Sequence, residues 1–117
     1  ACYLGVIGGG CDNCTCERSF VGGGSINYAN GTASAIGGGL KNKACAGCSS
    51  VLGGQCNTLK SAHTEAAIVG SCINSVSAKT LHANTLVLVL SDVPTATTNL
   101  VPGAIYNDGG VLKIKTS

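Results

Sequence analysis

The chain of 117 residues allows one domain, or one compact unit with an extension. Only 10% of its residues are charged and 3% are aromatic, while 18 are glycine and none is methionine or tryptophan. This composition disfavours a globular core of large apolar side chains and favours an elongated molecule with a thin core. The net charge of +2 is too small to indicate a nucleic-acid partner.

The longest aliphatic run is Leu86–Leu90, "LVLVL", which is far too short for a membrane-spanning helix. The chain starts with "ACYLGVIGGG" and has no basic n-region, so no signal peptide is expected. Because there is no initiating methionine, we expect residue 1 to be a processing site or a cut through a longer polypeptide.

The dominant feature of the first 75 residues or so is a repeat, as in "FVGGGSIN" followed by "AIGGGLKN". The repeat is anchored on the apolar residue before the glycine, at intervals of 14, 15, 16 and 17 residues: Ile7, Val21, Ile36, Leu52 and Val69. An asparagine follows each anchor after 6 or 5 residues: Asn13, Asn27, Asn42, Asn57 and Asn74. Five copies in constant phase predict a stack of repeating structural units.

A unit of this length fits two short strands and two turns, which is one coil of a β-solenoid or β-roll. Glycine suits corners that need positive φ or close approach, and stacked asparagines can form a hydrogen-bonded ladder. Three consecutive glycines exclude a helical repeat. The fold class predicted is therefore all-β, with about five coils.

An apolar or small residue precedes each anchor, so both members of every pair are apolar or small. Neighbouring side chains on a strand face opposite sides of the sheet. One member can fill the coil interior, but the other needs a second surface. A second copy of the chain is the simplest source of that surface, and we expect an oligomer.

From Val6 to Asn74, the "IGGG--N" phrase and the "SAIGGG" of the middle coil resemble the head repeats of trimeric autotransporter adhesins, a roll that also occurs in phage tail fibres and viral spikes. The resemblance implies left-handed rolls packed as a homotrimer. The chain differs from the bacterial adhesins in having no heptad stalk or membrane-anchor strands, and in its many cysteines. We expect a β-roll domain over residues 1–80 and a C-terminal extended segment with a hairpin over 81–117, which resembles the ends of phage fibre proteins.

Eight cysteines include two C-x-x-C pairs, the ordinary signal for zinc: Cys11, Cys14, Cys45 and Cys48. However, cysteine interchanges with small and aliphatic residues at equivalent coil positions. We therefore expect mostly reduced thiols that pack as small buried hydrophobes, with no metal or cofactor. Disulfides and a zinc site are the alternatives.

No catalytic constellation is evident, and we expect no enzymatic activity. His63 and Glu65 share one face of a predicted strand, which is more typical of a solvated pair than of a dyad. Further on, an extended connection between Pro94 and Pro102 leads to a predicted hairpin around "YNDGG". Exposed loops and the tip of this hairpin are the expected receptor contacts: Lys60, His63, Tyr106, Asn107 and Asp108.

The sequence thus favours a structural and adhesive component, a trimeric phage or virus tail-fibre or spike segment located on the virion. Its expected partners are two further copies, other virion or fibre proteins, and a glycan or protein receptor on the host surface. Neither nucleic acid nor a membrane span is expected. The alternatives are the head of a secreted bacterial adhesin at the cell surface, an ice-binding solenoid and a small zinc module.

Overall fold

The computed structural model describes residues 4–96 and 98–116, and the chain divides into two units, Ala1–Thr85 and Leu86–Ser117. Cys2, and Thr97 of the predicted extended connection, lie outside the described residues. The described part contains one short 3₁₀ turn, Leu90–Asp92, and no α-helix.

The first unit is a β-solenoid of about five turns, as the repeat predicts. The coils contribute short strands to two parallel sheets, and the first four coils contribute one strand to each sheet. The larger sheet contains six strands, in the order β1 (Val6–Ile7), β3 (Phe20–Val21), β5 (Ala35–Ile36), β7 (Ser50–Val51), β9 (Ala67–Val69) and β10 (Leu81–Ala83). The smaller sheet contains four strands, in the order β2 (Cys14–Thr15), β4 (Tyr28–Ala29), β6 (Lys43–Ala44) and β8 (Thr58–Leu59).

The register of the larger sheet corrects two of the five predicted anchors. Its inward column is Ile7, Val21, Ile36, Val51, Ile68 and His82. Leu52 and Val69 stand one position later and are 65% and 41% exposed. Three glycines follow each of the first three anchors, but only two follow Leu52 and one follows Val69. Aligning the repeats on the first glycine therefore places the last two anchors one residue too late. A shift of one residue on a strand moves a side chain from the interior to the surface.

The corrected coil lengths are 14, 15, 15, 17 and 14 residues, rather than steadily growing. β10 adds a sixth strand to the larger sheet, so the solenoid continues to Thr85 instead of ending at residue 80. The apolar interior is thin, since its buried members are small or medium-sized: Val21, Ala29, Ile36, Ala44, Val51, Leu59, Ala66 and Ile68.

The third glycine of a triplet occupies a corner that excludes a side chain. Gly24 has a φ of +84°, and a Cβ added there would lie 2.1 Å from the carbonyl oxygen of Gly39 in the next coil. A Cβ added at the middle glycine, Gly23, would have no atom within 4 Å. The close approach of stacked coils therefore demands glycine at the third position and leaves the second open.

The second unit contains an antiparallel pair of strands, β11 (Ile105–Asp108) and β12 (Val111–Ile114). Gly109 and Gly110 connect them with φ values of +60° and +94°. Two consecutive residues at positive φ are typical of the tight turns that match the twist of a hairpin.

Candidate functional site

A ladder of stacked asparagines runs through the interior of the solenoid. Asn27, Asn42 and Asn57 are fully buried. The Asn42 backbone N–H and Nδ2 both donate to Asn27 Oδ1, at 3.0 and 3.1 Å. The same Nδ2 donates to the carbonyls of Gly38 and Gly54. Each amide thus joins its own coil to both neighbours, which is a structural role.

The ladder starts at Asn13 and ends at Asn57, so it has four rungs rather than the predicted five. In the next coil the backbone N–H of Ile73 donates to Asn57 Oδ1 at 3.1 Å. Asn74 is one residue beyond that position, is exposed, and pairs with Thr58. The prediction that Asn74 belongs to the ladder is wrong for the same reason as that for Val69.

A second polar column, of serines, was not predicted from the sequence. Ser19, Ser34 and Ser49 are all buried and each stands two residues before the inward residue of a strand. Ser19 Oγ donates to the Cys16 carbonyl at 2.7 Å, and Ser49 Oγ donates to the Ala46 carbonyl at 2.6 Å. The sequence signal that could have predicted this column is a serine two residues before the inward residue of each of these strands.

The described cysteines lie at the surface of the coils, so the expectation of buried packing thiols is wrong. Cys11, Cys48, Cys56 and Cys72 are exposed, and Cys14, Cys16 and Cys45 are partly exposed. The coil interior is filled instead by asparagine, serine and small aliphatic side chains. Cysteine interchanged with small residues because both are accepted at the surface of the coils, not because both are buried.

Two of the exposed thiols occupy matching positions on adjacent coils. Cys56 and Cys72 both have positive φ, at +55° and +57°. The N–H of Cys72 donates to the carbonyl of Gln55, which places it directly over Cys56. Stacked backbones lie about 4.8 Å apart, which falls within the range of Cα separations in disulfides. Among the described cysteines no other pair has this relationship.

The two C-x-x-C pairs do not form one metal site within the chain. Cys11 and Cys14 belong to the first coil and Cys45 and Cys48 to the third, with the coil of Tyr28 between them. Two coil spacings amount to roughly 10 Å, whereas sulfur lies about 2.3 Å from zinc. Over residues 4–96 and 98–116, no group of three or more histidine, cysteine, aspartate or glutamate residues could hold a metal ion.

Asp12 changes the chemistry of the neighbouring thiol. Cys11 Sγ donates to Asp12 Oδ2 at 3.3 Å. This hydrogen bond, together with the negative charge of the carboxylate, raises the pKa of Cys11 above its ordinary value. Cys11 is therefore held in the thiol form to higher pH.

The predicted contact residues Lys60 and His63 lie in the turn that follows β8. This turn contains the two residues that make its coil longer than the one before. His63 Nδ1 lies 2.7 Å from the buried Ser75 Oγ, whereas the Lys60 side chain is exposed. Residues 63–65 contain no strand, and Thr64 and Glu65 form a turn, so the strand predicted for His63 and Glu65 is wrong. Glu65 pairs with Lys79 at 4.0 Å.

The other predicted contact residues, Tyr106, Asn107 and Asp108, lie on β11 in the second unit. Asn107 Oδ1 accepts the N–H of Gly110 at 2.8 Å and so supports the turn. Asp108 forms an ion pair with Lys113, which raises the pKa of Lys113 through a hydrogen bond and through charge. Asp108 is exposed, and Tyr106 is partly buried.

A depression of about 410 Å³ lies on the outer side of the smaller sheet. Three of its residues, Tyr28, Lys43 and Thr58, are stacked in register on β4, β6 and β8. The other three, Ile26, Lys41 and Cys56, have positive φ and lie at the corner two residues before these strand positions. The lining residues are Ile26, Tyr28, Lys41, Lys43, Cys56 and Thr58.

The outer faces of the two sheets differ in polarity. The larger sheet, together with the residue that follows β7, exposes large apolar side chains: Val6, Phe20, Leu52, Val69 and Leu81. We call these residues the apolar face. The smaller sheet exposes the mixed column Cys14, Tyr28, Lys43, Thr58 and Asn74. Neither column has the regular threonine pattern expected of an ice-binding surface.

Comparison with protein-family models, curated proteins and solved structures finds no match to this chain. In the described part of the chain, no helix has the length and hydropathy needed to cross a membrane.

Proposed function

We propose that this chain is a segment of a trimeric virion fibre or spike that attaches to a host surface. The observation that carries the proposal is the apolar face of a thin solenoid. Five large hydrophobic side chains, four on the larger sheet and Leu52 directly after β7, are 41–65% exposed, while the interior holds no residue larger than isoleucine or leucine. Exposed apolar surface of this kind marks an interaction site.

Homotrimer formation explains how the apolar face is covered. In the trimer, the larger sheets of three left-handed rolls face the threefold axis and bury Phe20, Leu52 and Val69 against their copies. Burial of apolar area stabilises such an assembly by about 25 cal/mol per Å². The smaller sheet and the turn at Lys60 then remain at the outside.

Attachment follows from the surface that the trimer leaves exposed. The turn around Lys60 and His63, and the hairpin residues Tyr106, Asn107 and Asp108, are the proposed contacts with a glycan or protein receptor. Three copies on one fibre raise the effective concentration of a weak contact. The remaining partners are neighbouring fibre or virion proteins.

The experiment is a binding assay of fluorescently labelled, assembled protein on a panel of bacterial cells. Wild type is compared with a double variant, Tyr106→Ala with Asp108→Ala, and with Asn74→Ala as an exposed control. We expect saturable binding to at least one strain, reduced in the double variant and kept in the control. Assembled protein that binds no cell surface would contradict attachment, and equal binding by the double variant would remove the hairpin from the contact.

A further inference from the structure

We propose that the depression on the smaller sheet binds a carboxylated saccharide, a uronic or sialic acid unit. The inference rests on the proposed attachment function and names the class of ligand. A volume of about 410 Å³ lies within the usual range for small-ligand sites and suits one or two sugar rings. The site lies outside the receptor contacts predicted from the sequence.

The charges of the depression indicate an anionic ligand. Lys41 and Lys43 are both exposed, and within the described residues neither pairs with a carboxylate. In contrast, Arg18 and Lys79 of the same unit pair with Glu17 and Glu65. Two flexible ammonium groups on one coil can close on a carboxylate from two sides.

The remaining walls indicate a sugar rather than a bare anion. Tyr28 is partly buried beside Lys43, and Ile26 supplies an apolar wall at the corner of the same coil. An aromatic ring beside an aliphatic side chain can receive the C–H face of a pyranose. Thr58, in register with Lys43, offers a hydroxyl that can donate to or accept from a sugar hydroxyl.

At position 26, the backbone conformation alone does not favour isoleucine. It has a φ of +58°, and the corresponding corners of other coils hold Asp12, Lys41, Cys56 and Cys72. A β-branched residue is the least suited of these to the left-handed region. Its apolar contact with a ligand accounts for isoleucine where asparagine would be less strained.

The test measures binding of oligogalacturonate and of a sialylated trisaccharide to the assembled protein by titration calorimetry. The variant is Lys41→Gln with Lys43→Gln, and the charge-matched control is Arg18→Gln with Lys79→Gln. We expect the variant to lose roughly tenfold in affinity and the control to change by less than about twofold. Fully methyl-esterified oligogalacturonate, which has the same rings without charge, should not bind.

A second variant separates binding from folding. Ile26→Asn should keep or raise the melting temperature, because asparagine tolerates positive φ, and should still weaken saccharide binding. Equal loss of affinity in the Lys41/Lys43 variant and in the Arg18/Lys79 control would show non-specific charge attraction and overturn the site. Tighter binding of a single-stranded oligonucleotide than of either saccharide would overturn the ligand class.

The outcomes also distinguish this site from the proposed function. An assembled protein that binds cells but neither acidic saccharide contradicts the site and leaves attachment intact. A protein that neither assembles nor binds cells contradicts the proposed function itself.

Discussion

Asn57 is stacked directly over Asn42, and its backbone N–H and side-chain Nδ2 both donate to Asn42 Oδ1, at 3.1 and 3.0 Å. A single buried oxygen therefore satisfies two donors of the next coil. Because the arrangement recurs from Asn13 to Asn57, cohesion between these coils depends on side-chain amides as well as on the short strands.

Asn42→Ala should destabilise the solenoid severely. The substitution leaves the Asn57 backbone N–H without its acceptor, whereas Asn57 Nδ2 keeps the carbonyls of Gly53 and Gly70. It also removes the Asn42 donor from the Gly38 and Gly54 carbonyls. With about 1–3 kcal/mol for each buried group left unsatisfied, we expect a loss of roughly 2–4 kcal/mol in the free energy of unfolding. Chemical denaturation measures it. The control is Asn74→Ala, at an exposed position outside the ladder, which should change stability by less than about 0.5 kcal/mol.

Two adjacent glycines should respond differently to alanine. Gly24→Ala forces a Cβ to within 2.1 Å of the Gly39 carbonyl oxygen at a φ of +84°, so we expect a loss of about 2 kcal/mol or more. Gly23→Ala meets open space and should be tolerated within about 0.5 kcal/mol. Thermal unfolding, monitored by circular dichroism, compares the two variants. Equal melting temperatures would contradict the close approach of neighbouring coils at Gly24.

The repeat predicted the solenoid because glycine and asparagine mark corners that backbone geometry requires in every coil. Ile7, Val21 and Ile36 were placed correctly, since a full glycine triplet follows each. Leu52 and Val69 were misplaced where the triplet shortens, and alternation along the strand, not glycine count, decides the inward residue. The burial of Val51 and Ile68 could have been predicted from that alternation.

The surface was harder to predict than the interior. The thiols were expected inside because cysteine is generally among the most buried residues. Turn positions at positive φ, such as Cys48 and Cys56, carry no signal in a single sequence when they are not glycine. The depression at Tyr28 and Lys43 depends on register between coils, which was known only approximately from the repeat.

Asp12→Asn should make Cys11 more reactive. The carboxylate raises the pKa of Cys11, so its removal increases the thiolate fraction at any given pH below that pKa. Alkylation by iodoacetamide from pH 7 to 10, read by peptide mass spectrometry, should show the Cys11 midpoint moving to lower pH. The Cys48 profile should be the same in the two proteins, and an unchanged Cys11 profile would contradict the influence of Asp12.

Oxidised glutathione should link Cys56 to Cys72. The two thiols together lose two protons and two electrons, one disulfide forms, and each oxidised glutathione that is consumed yields two molecules of glutathione. Non-reducing peptide mapping should find the Cys56–Cys72 bridge as the main product among the described cysteines. Cys72→Ser should leave Cys56 as a mixed disulfide. Mixed disulfides at both positions in wild type would contradict the stacking of these corners.

The mass of the native assembly tests the proposed trimer most directly. Light scattering coupled to size exclusion should give three times the 11.5 kDa mass of the chain for wild type. Leu52→Asp places a charge on the apolar face, so it should give monomers with the β-type circular dichroism of the wild type. A wild-type monomer at all concentrations tested, or a Leu52→Asp protein that remains trimeric, would contradict assembly through the apolar face.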